Sequence, residues 1–245
     1  MDTTTVETKK FEILDTKLDS IWAEIFQKSK LIKEIQSGSI DIKMYAMYMF
    51  ETYHYTLHNS RNQALTGVKC FDKPPHYLRY CFEHALEETG HELMALHDVK
   101  SLGLKDNSFS IPNPLPETEV LIGYLYHVSS TGNAVRRLGY SYWAENAYKY
   151  IMPLIEKIKG LYNLKDNQLT FFMAHSDIDD EHFKEVKEMI EKYCVTEQDW
   201  KDVEEVMETT LRLTANMLDG VYNEYQKLVS NKSNKYNFLF ALDNN

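Results

Sequence analysis

The chain has 245 residues, 43% of them hydrophobic, and a formal net charge of −10. That length easily buries a core, the composition excludes wholesale disorder, and the acidity disfavours nucleic acid and anionic membrane as partners, since both reward a basic face. No apolar run approaches the roughly 20 residues of a membrane span, and the polar start MDTTTVETKKFE has no signal-peptide core. Cys70, Cys81 and Cys194 are an odd set without paired spacing, so the expectation is a cytoplasmic protein with reduced thiols.

Apolar residues recur at three- and four-residue spacing throughout, and no stretch shows the alternation of a half-buried strand. Six long helical segments are expected, over about 8–36, 41–66, 75–101, 116–159, 165–193 and 196–229. Gly38, the Gly67 to Pro75 stretch and the run from Pro112 to Pro116 separate the first four. No linker is long enough to divide the chain, which reads as one helical domain over 1–245 with a tail from about residue 230.

The second segment is almost wholly apolar or aromatic from Met44 to Phe50 and then presents Glu51, the only acid between Asp41 and Asp72. A carboxylate buried there needs a partner, and His54 and His58 follow at three and seven residues as ligands or hydrogen-bond partners. In the third segment Glu88 and His91 stand one turn apart, the Glu-x-x-His spacing of carboxylate-bridged diiron bundles. Glu87 and His84 are the nearest decoys. Gly90 between the pair costs a helix about 1 kcal/mol, and its bare backbone would admit a metal or a neighbouring helix.

The fourth segment should break near Ser129 to Gly132 and be kinked by Pro153. It offers Glu145 as a further acid, with a solvated surface carboxylate as the plain alternative. Arg136 and Arg137 precede it, either a solvated basic pair or a clamp for a substrate carboxylate. In the fifth segment His175, Asp179 and His182 fall within a narrow arc at about 100° per residue. Phe172, Val186 and Met189 continue that stripe, and such a stripe normally packs inward. Polar, metal-competent side chains on it need partners, either each other or a cation. The tail beyond Ser230 is expected to dock through Tyr236, Phe238 and Leu239.

Three imidazoles and four carboxylates form a mixed nitrogen and oxygen set suited to Fe or Mn more than Zn. No cysteine stands among them, against iron–sulfur chemistry.

These residues resemble the heme-oxygenase-like diiron oxidases and oxygenases. That family carries glutamates on three core helices, a histidine after the second of them, and His-x-x-x-Asp-x-x-His on a later helix. The matching positions are Glu51, Glu88 with His91, Glu145, then His175, Asp179 and His182. Some members place the second glutamate one turn earlier, where this chain has His84. The resemblance implies an all-α, seven-helix bundle, often a homodimer, that binds two Fe(II) ions and activates O2 as co-substrate. The implied reaction oxidises or cleaves a small carboxylate-containing substrate, an amino acid or a fatty acid, with an unspecified external electron donor. The competing reading is a metal-independent protein of the same fold, a cofactor-type oxidase or a small-molecule binder.

Overall fold

The computed structural model describes residues 3–104 and 109–244, with backbone alone for 3–8, 175–180 and 244. Among the described residues it contains eleven α-helices and three short 3-10 turns, with no strand. The helices are α1 (Thr3–Lys28), α2 (Lys30–Ser37), α3 (Ile42–Leu57), α4 (Asn59–Lys69), α5 (Pro75–Glu87), α6 (His91–Ser101), α7 (Pro116–Ser130), α8 (Leu138–Ala144), α9 (Tyr148–Tyr162), α10 (Thr170–Tyr193) and α11 (Glu197–Val229). Four are continuations of the preceding helix across a short break, at Ser29, at His58, at Glu88 to Gly90 and at Glu145 to Ala147. Joining α1 to α2, α3 to α4, α5 to α6 and α8 to α9 therefore leaves seven rods, as the resemblance implies.

Local chemistry fixes these boundaries. Asp41 caps α3 by accepting from the Lys43 backbone N–H at 2.7 Å, and Thr196 with Asp199 forms a capping box at the head of α11. The break at Ser29 is held from a distance: Asp219 of α11 accepts from Lys30 N at 2.8 Å and from Ser29 Oγ at 3.1 Å. The break between α7 and α8 falls at Thr131 to Asn133, where expected. Pro153 lies inside α9 without ending it, and the helix runs through Gly160 to a C-cap at Asn163 in a left-handed conformation.

The buried apolar side chains form one cluster threaded by the long helix α11, with Val203, Val206, Met207 and Val221 fully buried. Gly139 makes the approach of α8 to α11 possible, because a Cβ there would stand 2.2 Å from the Val203 carbonyl oxygen. The tail docks as expected: Tyr236 and Leu239 are fully buried, and the Phe238 ring stacks on Phe109 at 4.8 Å. No described helix is long and apolar enough to cross a membrane, and all three cysteines are buried free thiols.

Candidate metal centre

Helix breaks place the candidate ligands. The α5 helix ends at Glu87, Glu88 is its C-cap, and Gly90 turns the chain at φ +99° so that α6 begins on His91. Glu88 and His91 therefore do not share a continuous helix, and Gly90 does not open room for a neighbour, since nothing lies within 4 Å of a Cβ built on it. Its role is the left-handed turn, which costs glycine little. Across that turn His91 Nδ1 comes within 3.5 Å of Glu88 Oε1. Glu145 is likewise the C-cap of a helix, the short α8, whereas His182 projects from the middle of α10.

Two of these side chains converge with one further residue. His84, Glu145 and His182 each offer a ligand atom, all within 4.8 Å of one another, and all three residues are buried. His84 Nε2 lies 3.4 Å from Glu145 Oε1, and His182 Nδ1 lies 3.5 Å from Glu145 Oε2. Glu87 reaches His182 Nε2 at 3.3 Å from the solvent side. Glu88 stands nearby, lining with Glu145 the same internal cavity of about 80 Å³.

The electrostatics follow from this crowding. Burial pushes the Glu145 carboxyl up, but hydrogen bonds and charge from His182 and His84 outweigh it and hold the group well below the ordinary carboxylate range. Contact with Glu145 raises His182 to about 9 against the opposing effect of burial, with Glu87 and Glu88 adding to the rise. The acids, in turn, are held from behind. Arg137, 2% exposed, donates through Nε to Asn62 Oδ1 at 2.8 Å, through Nη1 to Ser141 Oγ at 2.9 Å and through Nη2 to Asn59 Oδ1 at 3.2 Å. Asn59 passes the connection on, donating to Glu88 Oε2 at 2.9 Å. Arg137 is thus engaged inside the protein, which corrects the expectation that it could clamp a substrate.

Asp98 on α6 ties the two sides of the centre together. It accepts from Thr170 N, Thr170 Oγ1 and Phe171 N at 2.7–2.9 Å, capping α10 from another helix. The residue at the head of α10, Leu169, provides no side-chain cap.

The sequence-derived set is thereby sorted. Glu145 and His182 meet in the cluster with His84, and Glu88, paired with His91, shares a cavity wall with Glu145. The side chains of His175 and Asp179 lie outside the described residues. Glu51 is the correction. It is fully buried, but Leu115 N at 2.9 Å and Thr118 Oγ1 at 2.5 Å donate to its Oε2, and Tyr236 Oη donates to its Oε1 at 2.8 Å. Its carboxylate is satisfied by neutral donors from the head of α7 and from the tail, apart from the cluster. His54 and His58 are also engaged elsewhere, with the Pro112 carbonyl at 2.7 Å and with Tyr126 Oη at 2.9 Å. The residue raised into the centre is His84, an imidazole where the sequence pattern offered only a decoy.

The donor set fits a metal ion on its own chemistry. Ligands bound at about 2.0–2.2 Å around one ion stand roughly 3–3.5 Å apart; His84 and His182 approach Glu145 to 3.4 and 3.5 Å, long for hydrogen bonds between charged groups, within a set whose ligand atoms all lie inside 4.8 Å. His84 Nδ1 is buried with no hydrogen-bond partner. A mixed imidazole and carboxylate set favours iron or manganese.

The sequence signature of iron-containing redox enzymes matches residues 46–216. The chain belongs to that family. It is similar over 96% of its length to a domain of unknown function with a heme oxygenase-like fold from Shewanella denitrificans, at 45% identity and a TM-score of 0.84, covering 97% of that chain. A TenA homologue from Pyrococcus furiosus superposes with a TM-score of 0.68 at 18% identity, over 87% of this chain and all of the other. Another from P. horikoshii gives 0.69 at 14%, over 87% of this chain and 98% of the other; these two share the fold alone. No curated protein matches.

Proposed function

We propose that this chain is a non-heme iron oxidase or oxygenase that uses two Fe(II) ions and O2 to oxidise or cleave a small carboxylate-containing substrate. The observation that carries the reading is the convergence of ligand atoms of His84, Glu145 and His182 within 4.8 Å, with Glu88, itself paired with His91, on the cavity that Glu145 lines. His84, Glu145 and His182 would hold one ion, and Glu88 and His91 the second, with His175 and Asp179 joining from α10. Bound iron supplies the activation of O2 that these side chains cannot perform themselves. The protein's own part is positional. Asn59 and Arg137 fix the Glu88 carboxylate, Asp98 fixes α10, and aromatic walls from Tyr48, Phe171 and Phe172 exclude bulk water from the cavity. We place the enzyme in the cytoplasm, where its three free thiols stay reduced.

Anaerobic titration with Fe(II) tests this reading. Two equivalents bound per chain, followed by O2 consumption on mixing with air-saturated buffer, is the expected result. No bound iron in protein with His84, Glu145 and His182 intact would favour the metal-independent reading, in which the same three groups form a closed network of ion pairs.

A further inference from the structure

Two internal cavities adjoin within the bundle. The first, at the metal centre, has Glu88 and Glu145 in its wall. The second, of about 90 Å³, lies between α1, α2, α9 and α11. Tyr48, Tyr55, Trp143, Ala147 and Ile151 line both, so they form the junction. Past that junction the lining turns aliphatic, with Leu31, Ile35, Leu154, Ile158 and Met217, every one of them buried.

Protein interiors are close-packed, and space of this size inside a core is exceptional. It exceeds by several-fold the roughly 10–15 Å³ that one water needs, yet its walls offer water almost nothing. Thr214 Oγ1 already donates to the Thr210 carbonyl at 3.0 Å. Trp22 Nε1, buried without a partner in the protein, offers a donor for an oxygen on a ligand.

We infer that the second cavity is a chamber for the apolar tail of the substrate, an inference that rests on the metal-centre reading above. The substrate class is an amphiphile. Its polar, reacting end lies against Glu88 and Glu145, and its unbranched aliphatic chain passes the Tyr48, Tyr55 and Trp143 side chains into the chamber. A short, wholly polar substrate such as a small hydrophilic amino acid leaves the chamber unfilled. Trp143 is itself fixed at the junction, its indole N–H donating to Thr210 Oγ1 at 2.8 Å.

The test uses the full, iron-free chain and a series of straight-chain primary alcohols from butanol to decanol, followed by titration calorimetry. Neutral alcohols report on the chamber without requiring a metal to receive a charged head. Affinity is expected to rise about fourfold per methylene until the chamber is full. Leu154→Trp and Leu218→Trp, placed in the chamber wall away from the acids, should each abolish the gain for longer chains while leaving helicity and Fe(II) stoichiometry unchanged. Affinity independent of chain length, or a length dependence that survives both variants, overturns the chamber. Failure of iron to bind is read in a separate titration and would sink the metal-centre reading instead.

Discussion

Glu51 and Glu145 are both buried acids on helices rich in apolar and aromatic residues, and the contrast between their surroundings separates structure from function here. Glu51 receives three donors, a backbone N–H, a hydroxyl and a phenol, at hydrogen-bond distance. Glu145 faces two imidazoles at 3.4 and 3.5 Å, with His182 also drawn by Glu87. The first carboxylate is complete without a cation, whereas the second shares an arrangement that a cation would tighten. Burial marks a carboxylate as important, and only the identity and spacing of its partners show for what.

The comparison breaks most sharply at the metal. Glu145→Gln and His182→Ala should each lower Fe(II) affinity by at least tenfold, read by anaerobic titration, while Glu51→Gln should bind iron at the wild-type stoichiometry. Loss of iron in Glu51→Gln would return that residue to the ligand set. A second effect separates the two by stability. Glu51→Ala strands three donors and is expected to cost about 3–5 kcal/mol in chemical denaturation.

A pH experiment sharpens the contrast. In the iron-free protein His182 is raised to about 9 from an ordinary value of 6.5. Its stabilising contribution is therefore fully present below about pH 6.5 and lost as pH rises through about 9. Denaturation midpoints of the iron-free wild type should fall over that window, and Glu145→Gln should flatten the fall. Iron must displace the same proton, so its affinity should climb across the window.

Smaller effects belong to the supports. Asp98→Ala removes the cap of α10 and should cost about 1–3 kcal/mol, accompanied by weaker iron binding. Tyr236→Phe deletes one donor to Glu51 and should cost about 1 kcal/mol, without effect on iron.

Much of this arrangement was legible in the sequence. Periodicity and glycine–proline punctuation located the helices, and the apolar stripe through Phe172, Val186 and Met189 showed that His182 faces inward. The docking of Tyr236 and Leu239 followed from their apolar character in a polar tail. The fate of Glu51 was not legible, because its partners lie 64, 67 and 185 residues away and no local pattern announces them. Periodicity also missed the breaks at Glu88 to Gly90 and at Glu145 to Ala147. Gly90 was visible, but a glycine within a periodic stretch reads equally as a helical residue or a left-handed turn until its φ is known. His84 was outranked by Glu88 because spacing along an unbroken helix was assumed, and the break changes which side chains meet. Asp98 left no signal beyond being an acid on α6, since its partners belong to the head of a helix some 70 residues later.

Glu88 and Glu145 share one further property: each is the C-cap of a helix. The carbonyl ends of two helices thus point their partial negative charge toward the place where two carboxylates already gather, the unfavourable end for an anion. Without a cation, a centre of this kind is electrostatically loaded. A divalent cation arriving there discharges both the acids and the peptide dipoles, so metal uptake should stiffen the junctions of α5 with α6 and of α8 with α9 and raise the melting temperature as it proceeds.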